Sequence, residues 1–366
     1  MRVILLVTDL QRGGTPLRIA RLARGLHAAG AQPTVACLAP PGPVSTELEA
    51  AGIPTFACDA RGPRDFAALA RLNARVRRIR PDLIHATLVH ANVAARLVGL
   101  LRHIPVLTAT ATIECERPWH IWLERLTARL DAGHIVNSPA VADHVVRRFR
   151  RPRSRVYLVP PSLEHFPQVV DRIEARRRLN IPDHEFVVAW LGRFDPVKRL
   201  DLVIRVAEIL TTVPTRFLLI GDGPTRGQIE HSLRLSNAGR VTHLLGWHED
   251  SGPILSAADA FLFPSLTEGM PNAVLEAMAC GLPIVASDLP VLRDIAGRSE
   301  RLWLVSSNEP NAYATRLLQL RDDPATRSAL AHRAATWARD HLDPAATIKA
   351  ALAIYEAILG RPARAS

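Results

Sequence analysis

The sequence predicts an α/β protein with two doubly wound parallel-sheet domains. Three observations predict it. Short runs rich in Val, Ile and Leu alternate with longer amphipathic stretches, the pattern of βα units. The alternation comes as two series separated by a proline-rich break. The 366 residues, 48% of them hydrophobic, suffice for two cores. In the first series the strands read RVILLV, PTVACL, LIHA, IPVLTA, GHIVNS and RVYLVP. A helical pattern such as PLRIARLARGLHAAG ends on Gly30, suited to a left-handed cap. The second series reads FVVAWLG, RFLLIGDG, VTHLLGW, AFLFPS and LPIVAS. Between them VPPSLEHFPQ carries Pro160, Pro161 and Pro167, and no helix runs through it. Two such Rossmann-like domains place the carboxyl ends of both sheets around an interdomain cleft, the expected site.

Composition narrows the class. Cys37, Cys58, Cys115 and Cys280 stand far apart with no Cys-x-x-Cys, which indicates neither a zinc site nor a disulfide framework and makes a reducing cytoplasm the expected compartment. The opening MRVILLVTDLQRGG has only a short apolar run before Asp9 and reads as a buried strand instead of a signal peptide. No uncharged apolar run approaches the roughly 20 residues of a membrane span. The net charge of +11 is lopsided: Met1–Glu164 holds 23 Arg and no Lys against 12 acids, and the remainder balances 23 bases with 23 acids. A basic half suits a surface facing lipid headgroups, a phosphorylated acceptor or nucleic acid, or it is the solvated surface of an arginine-rich chain. Aromatic residues are only 5% and no stacking platform is visible, which counts against nucleic acid.

The chemistry concentrates in the second half. TEGMPNAVLEAMACGLPIVAS sets Glu268 and Glu276 eight positions apart. On one helix that is about 12 Å along the axis, more than the roughly 5–9.5 Å between the carboxylates of a glycosidase-type pair. The spacing suits the two ends of an extended ligand, with Glu268 in the loop after AFLFPS and Glu276 two turns further on. Gly269, Met270, Pro271 and Asn272 open that helix, whose unpaired amides and positive end suit a diphosphate. Two solvated surface glutamates are the plain alternative. In LGRFDPVKRLD, Gly192 ends a strand and Arg193 and Lys198 follow in the loop. Lysine occurs only at Lys198 and Lys349, so an ammonium kept beside a strand end points to a compact charge with a particular task, against a chance surface lysine. Gly221, Asp222 and Gly223 make a strand-to-helix turn that suits a nucleotide wall or any close βα turn. Gly13 and Gly14 open the first helix as a phosphate cradle would, without the full Gly-x-Gly-x-x-Gly of a dinucleotide site. No Asp-x-Asp pair and no close-set histidine cluster occurs, so no metal is required and Arg193, Lys198 and a helix N-terminus are left to offset a diphosphate.

Together Gly192-Arg193…Lys198, Gly221-Asp222-Gly223-Pro224, Ser265…Glu268-Gly269…Glu276-Ala277-Met278-Ala279…Gly281…Pro283 resemble the donor domain of the group 1, family four retaining glycosyltransferases of GT-B type. The resemblance is dense from Gly192 to Ser287 and, through the two-domain layout and Gly13-Gly14, extends along the chain. It implies that Arg193 and Lys198 grip the donor pyrophosphate, Glu276 the ribose hydroxyls and Glu268 the hydroxyls of the donor sugar. Gly269, Met270, Pro271 and Asn272 would line sugar and phosphate, and Trp247 the nucleobase. Gly14, Gly192, Gly221, Asp222 and Gly223 would complete the donor site, with Gly13 and His85 on the acceptor side.

The implied layout is an acceptor domain at 1–165, a donor domain at 166–345, and a segment 346–366 whose helix TIKAALAIYEAIL crosses back. The implied reaction is a metal-independent hexosyl transfer from a nucleotide sugar to a glycan or lipid-linked acceptor of cell-surface polysaccharide or glycolipid, with no cofactor and with cleft closure excluding water. Retention without an evident carboxylate nucleophile fits a same-face displacement in which the departing phosphate helps deprotonate the acceptor. One departure stands out: Thr108-Ala109-Thr110-Ala111-Thr112 lacks the histidine that the family often places after this strand, which leaves acceptor activation open, with His85 and His90 as candidates and a structural role the commoner one for a lone histidine near a strand end. In ERPWHIWLERLTARL, Trp119 and Trp122 flanked by arginine suit either an anionic membrane surface, at its inner face, or core or interdomain packing. A same-fold sugar-nucleotide epimerase or phosphorylase is the nearer alternative, and a basic nucleic-acid-binding protein the one from a different class.

Overall fold

The computed structural model describes residues 1–11, 13–62, 65–111, 118–163, 166–298 and 300–360. Thr112, Cys115, the start of the tryptophan segment at Glu116 and Arg117, the Glu164-His165 centre of the proline break and the tail after Gly360 lie outside them. Contacts divide the chain into two units, Met1–Glu164 with Asp343–Ser366, and His165–Leu342.

The first unit holds seven strands: β1 Arg2–Val7, β2 Gln32–Cys37, β3 Thr55–Ala57, β4 Leu83–Thr87, β5 Val106–Thr110, β6 Gly133–Val136 and β7 Val156–Leu158. They pair in the order β3-β2-β1-β4-β5-β6-β7, every pair parallel. A parallel sheet is covered on both faces, which is why β1 and β4 read as nearly unbroken apolar runs. The sequence reading missed β3, three half-buried residues at the sheet edge. Helix Gly14–Ala28 follows β1 and ends as expected, with Gly30 at φ +80° just beyond its cap.

Helix Pro344–Ile358 belongs to this unit. It starts earlier than Thr347 because Asp343 caps it, accepting from the Ala345 amide at 2.9 Å, and Pro344 fits the first turn. Ala351 and Tyr355 join the core formed by Val3, Leu5, Ala23 and Leu26. The helices approach so closely that a Cβ at Gly25 would lie 2.3 Å from Ile348 Cδ1. Beneath them the Tyr355 hydroxyl and His85 Nδ1 are 2.6 Å apart.

On the other side of the sheet the unit is held by a buried ionic network. Arg96 donates from Nε to Asp131 at 2.7 Å, from one terminal nitrogen to Glu124 at 2.7 Å and from the other to Thr127 at 2.8 Å. Arg151 makes a two-pronged contact with Asp131 at 2.8 and 2.9 Å. Thr108 Oγ1 joins Asp131 at 2.8 Å to His134 Nδ1 at 2.7 Å. Two guanidinium groups thus meet two carboxylates, and the buried cluster is close to neutral. Burial, with Arg151 and Arg96 beside it, drives His134 well below the ordinary histidine range.

The second unit carries β8 Phe186–Leu191, β9 Thr215–Ile220, β10 Thr242–Gly246, β11 Ala260–Phe263, β12 Ile284–Ser287 and β13 Trp303–Val305. Their order is β10-β9-β8-β11-β12-β13, again all parallel. The three-residue β13 was also absent from the sequence reading. From β8 the chain winds outward through β9 and β10, then returns to start β11 on the other flank of β8. The loops after β8 and β11 therefore diverge at a topological switch point, the place where such sheets bind ligands. Burial pushes the thiols of Cys37 and Cys280 up to about 12 and that of Cys58 up to about 11, so all three stay protonated at neutral pH.

Two outcomes follow for stability. Glu124→Ala leaves Arg96 buried with half its counter-charge removed, and should cost about 3–5 kcal/mol in chemical denaturation of the first unit. Burial, with Arg18 nearby, pushes His85 down to about 3 from an ordinary 6.5. The unfolded chain binds this proton first, so the stability held by neutral His85 is complete above 6.5 and lost as pH falls toward 3. The slope is up to about 1.4 kcal/mol per pH unit. His85→Gln should flatten the pH dependence of unfolding in that window by one proton, and an unchanged slope would contradict it.

Candidate functional site

Lys198 and Glu268 meet at the switch point of the second unit. β8 ends at Leu191, and after Gly192 the loop makes a short turn, Pro196–Lys198, capped by Asp195 accepting from the Val197 amide at 3.2 Å. The loop after β11 is pinned to it: the Val197 carbonyl accepts from the Leu266 amide at 2.9 Å and from Ser265 Oγ at 3.1 Å. Adjacent parallel strands bring both loops to the same edge, and the pinning sets their register. Lys198 Nζ then donates to Glu268 Oε1 at 2.6 Å and stands 5.5 Å from the centre of the Phe263 ring. The lysine is 24% exposed and the glutamate 8%, so the pair is screened from bulk water yet reachable from it. A charge-assisted contact of this kind contributes about 1.5–3 kcal/mol. Arg193, in the same loop, is exposed.

On the β9 side the glycines serve close backbone contact. A Cβ at Gly221, whose φ is +137°, would lie 1.9 Å from the Gly192 carbonyl oxygen, and one at Gly223 would lie 2.5 Å from that of Phe194. The loops exchange hydrogen bonds from the Phe194 amide to Asp222 O at 2.9 Å and from Thr225 to Phe194 O at 3.2 Å. Asp222 is engaged within its turn, accepting from the Gly223 amide at 2.7 Å and from Arg226 at 3.2 Å. The Gly-Asp-Gly-Pro turn is thus explained by loop packing, whatever else it contacts.

Helix Asn272–Ala279 begins after Pro271 with no side chain capping its first amides. Gly269 and Pro271 are buried, and Met270 and Asn272 half-buried, at its mouth. Glu276 lies one turn into that helix and accepts from Ser251 Oγ at 2.7 Å. Ser251 belongs to the loop after β10, as does Trp247, which is 60% exposed. Nothing in the sequence marked Ser251, because its partner lies on another element. Arg193, Lys198, Gly192, Gly221, Asp222, Gly223, Trp247, Glu268, Gly269, Met270, Pro271, Asn272 and Glu276 all lie at the carboxyl edge of this one sheet or on the helix that opens there.

Gly13, Gly14 and His85 belong to the other unit. A Cβ at Gly14 would meet nothing within 4 Å, and one at Gly13 only Pro16 at 3.8 Å, so the protein's own packing does not demand glycine there. His85 corrects the expectation of an acceptor-side residue: it is 4% exposed, mid-strand, and held by Tyr355. The switch point of this unit, between β1 and β4, is marked instead by Leu88 at φ +80°, a strained value for a bulky residue, and by the Thr87 hydroxyl, buried without a partner among the described residues. Just beyond, His90 packs edge-on against Trp119 and His120, with ring centres 5.5 and 5.2 Å apart. Burial, with His120 beside it, lowers the pKa of His90. Among the described residues no three His, Cys, Asp or Glu side chains group as metal ligands.

Two family models match the chain in succession, "Glycosyltransferase Family 4" over residues 12–165 and "Glycosyl transferases group 1" over residues 185–323. Among similar proteins, an Escherichia coli UDP-Gal:alpha-D-GlcNAc-diphosphoundecaprenol alpha-1,3-galactosyltransferase is 23% identical over 287 residues, 74% of either chain. A D-inositol 3-phosphate glycosyltransferase from Kineococcus radiotolerans is 30% identical over 60% of this chain and 56% of its own. The chain thus spans about half the length of that second kind of relative. Among solved structures, Anabaena HepE in complex with UDP and glucose superposes with a TM-score of 0.83 at 19% identity, over 98% of this chain and 100% of its own. Sucrose-phosphate synthase from Thermosynechococcus elongatus gives 0.81 at 20% identity, with the same coverage. With one model on each unit and the fold of both reproduced in these structures, the chain belongs to the group 1, family 4 glycosyltransferases of GT-B fold.

Proposed function

We propose that this protein is a retaining, metal-independent hexosyltransferase that takes its sugar from a nucleoside diphosphate and delivers it to a glycan or lipid-linked acceptor in cell-surface polysaccharide or glycolipid synthesis. The observation that carries the reading is the Lys198–Glu268 contact at the switch point, with Glu276 one turn along the adjoining helix. Lys198 and Arg193 supply positive charge where the diphosphate leaves, and the uncapped amides of helix Asn272–Ala279 add to it. Glu268 orients the sugar hydroxyls and Glu276 the ribose. The bond from the anomeric carbon to phosphate breaks, the bond to the acceptor oxygen forms on the same face, and the departing phosphate takes the acceptor proton. The bound UDP and glucose of the HepE structure, and the UDP-galactose and diphosphoundecaprenol in the name of the E. coli relative, support a donor and an acceptor of these classes.

The membrane part of the reading rests on one face of the first unit. Helices Val89–Arg102 and Pro118–Thr127 are joined through Arg96, leaving Leu97, Leu100, Leu101, Trp122 and Leu126 exposed, Trp122 by 61% and Leu101 by 63%. These tryptophans are therefore not core residues. Glu124 and Asp131 are buried on Arg96 and Arg151, so the charge left outside is cationic: Arg125, Arg129, Arg147 and Arg148 are exposed, and Asp143 is paired with Arg153 at 2.9 Å. An apolar patch with an arginine rim suits an anionic leaflet, each arginine near it contributing about 1 kcal/mol. No helix among the described residues is long and apolar enough to cross a membrane.

A thermal-shift series with UDP, GDP, ADP and their sugars tests the donor reading. One nucleotide should stabilise the fold by about 2.7 kcal/mol at a hundred times its Kd, equally in EDTA, and Lys198→Ala or Glu276→Ala should abolish the shift; no response to any nucleotide would refute it. The protein should also sediment with vesicles containing phosphatidylglycerol and not with pure phosphatidylcholine, and lose this with Leu101→Ser, Trp122→Ser and Leu126→Ser combined. A salt-independent dimer that the same substitutions dissolve would assign the face to a protein contact instead.

A further inference from the structure

We infer that Ser251 is a positioning residue for the ribose: its hydroxyl holds the Glu276 carboxylate in the orientation that receives the sugar-ring diol of the nucleoside diphosphate. This rests on the role of Glu276 proposed above and adds a residue of this chain to it. A glutamate on a helix surface has three side-chain torsions, and fixing them costs up to about 1.5–2 kcal/mol of rotamer freedom. A carboxylate already fixed spares the nucleotide that cost. Ser251 Oγ donates to Glu276 Oε2 at 2.7 Å, and Ser251 is only 4% exposed, so water competes little for the bond. Because the serine supplies the proton, the carboxylate stays an acceptor, as a diol requires.

The serine is itself held from behind. Its carbonyl accepts from the Ile254 and Leu255 amides at 3.1 and 2.9 Å. Asp250 accepts from the Gly252 amide at 2.8 Å and from the Gln168 amide at 3.3 Å. The backbone of Gln168 runs so close that a Cβ at Gly252 would lie 2.5 Å from its nitrogen, and the Val170 amide donates to Ser256 Oγ at 3.1 Å. The chain segment just after the proline break thus braces the loop, the loop aims Ser251, and Ser251 aims Glu276. A surface glutamate held at random would need none of this.

The test compares two dissociation constants for each variant, measured by calorimetry with whichever of UDP, GDP and ADP the wild-type chain binds most tightly and with its 2′,3′-dideoxy form. Their ratio reports the ribose grip and is insensitive to partial unfolding. In the wild type the dideoxy form should bind at least ten-fold more weakly. Ser251→Ala should reduce that ratio about three-fold, part of the rotamer cost that the fixed carboxylate spares, Ser251→Thr should restore it, and Glu276→Gln should bring it close to one. A wild-type ratio in Ser251→Ala beside a collapsed ratio in Glu276→Gln overturns the role of Ser251 alone. A wild-type ratio in Glu276→Gln overturns the ribose role of Glu276 and this inference with it.

Discussion

One carbonyl oxygen, that of Val197, ties the two sides of the second unit together. It accepts two hydrogen bonds from the loop after β11 while belonging to the loop after β8. Loops that diverge at a switch point have no reason of their own to stay in register, because the strands before them lead to opposite flanks of the sheet. The Val197 clasp supplies the register, and the Lys198–Glu268 pair stands one residue beyond it. On the other flank the same β8 loop is pressed against the β9 turn through Gly221 and Gly223. The cation therefore sits on a loop braced from both sides, which is what preorganised charge at a reaction centre requires.

Both units bury charge in pairs, and the second adds a pair that stays partly open. In the first, two arginines and two carboxylates cancel inside the fold, and His85 and His134 are kept neutral by desolvation and neighbouring cations. The excess positive charge is thereby left on the surface. In the second, Arg176 and Asp259 meet in the interior at 2.6 Å, and the Lys198–Glu268 pair remains partly open. Arginine–carboxylate pairs hold both interiors, and the partly open pair is the lysine one.

The sequence carried the sheets well because each inner strand is a buried apolar run; it lost β3 and β13, three-residue edge strands with too few residues to show a period. Lys198 was legible through the scarcity of lysine, and Glu268 and Glu276 through their spacing beside a glycine-rich helix start. His85 stayed open between an acceptor-side and a structural role: Leu83, His85 and Thr87 share one face of β4, and the partner that explains the histidine, Tyr355, lies 270 positions away. Ser251 was invisible for the same kind of reason, since the contact with Glu276 spans 25 positions and no local pattern encodes it. The glycines of the β9 turn were seen, but their need arises from a neighbouring backbone that only the folded sheet brings near.

Helix Pro344–Ile358 has a consequence for the order in which the chain is made. It completes the core of a unit whose strands are synthesised before the other unit, so Ala23, Leu26 and His85 wait without Tyr355 while the whole of that other unit emerges from the ribosome. Domains usually fold as units during synthesis, the earliest first. Here the later one can close before the earlier, and in the interval the nascent protein carries an open apolar seam that a chaperone would recognise.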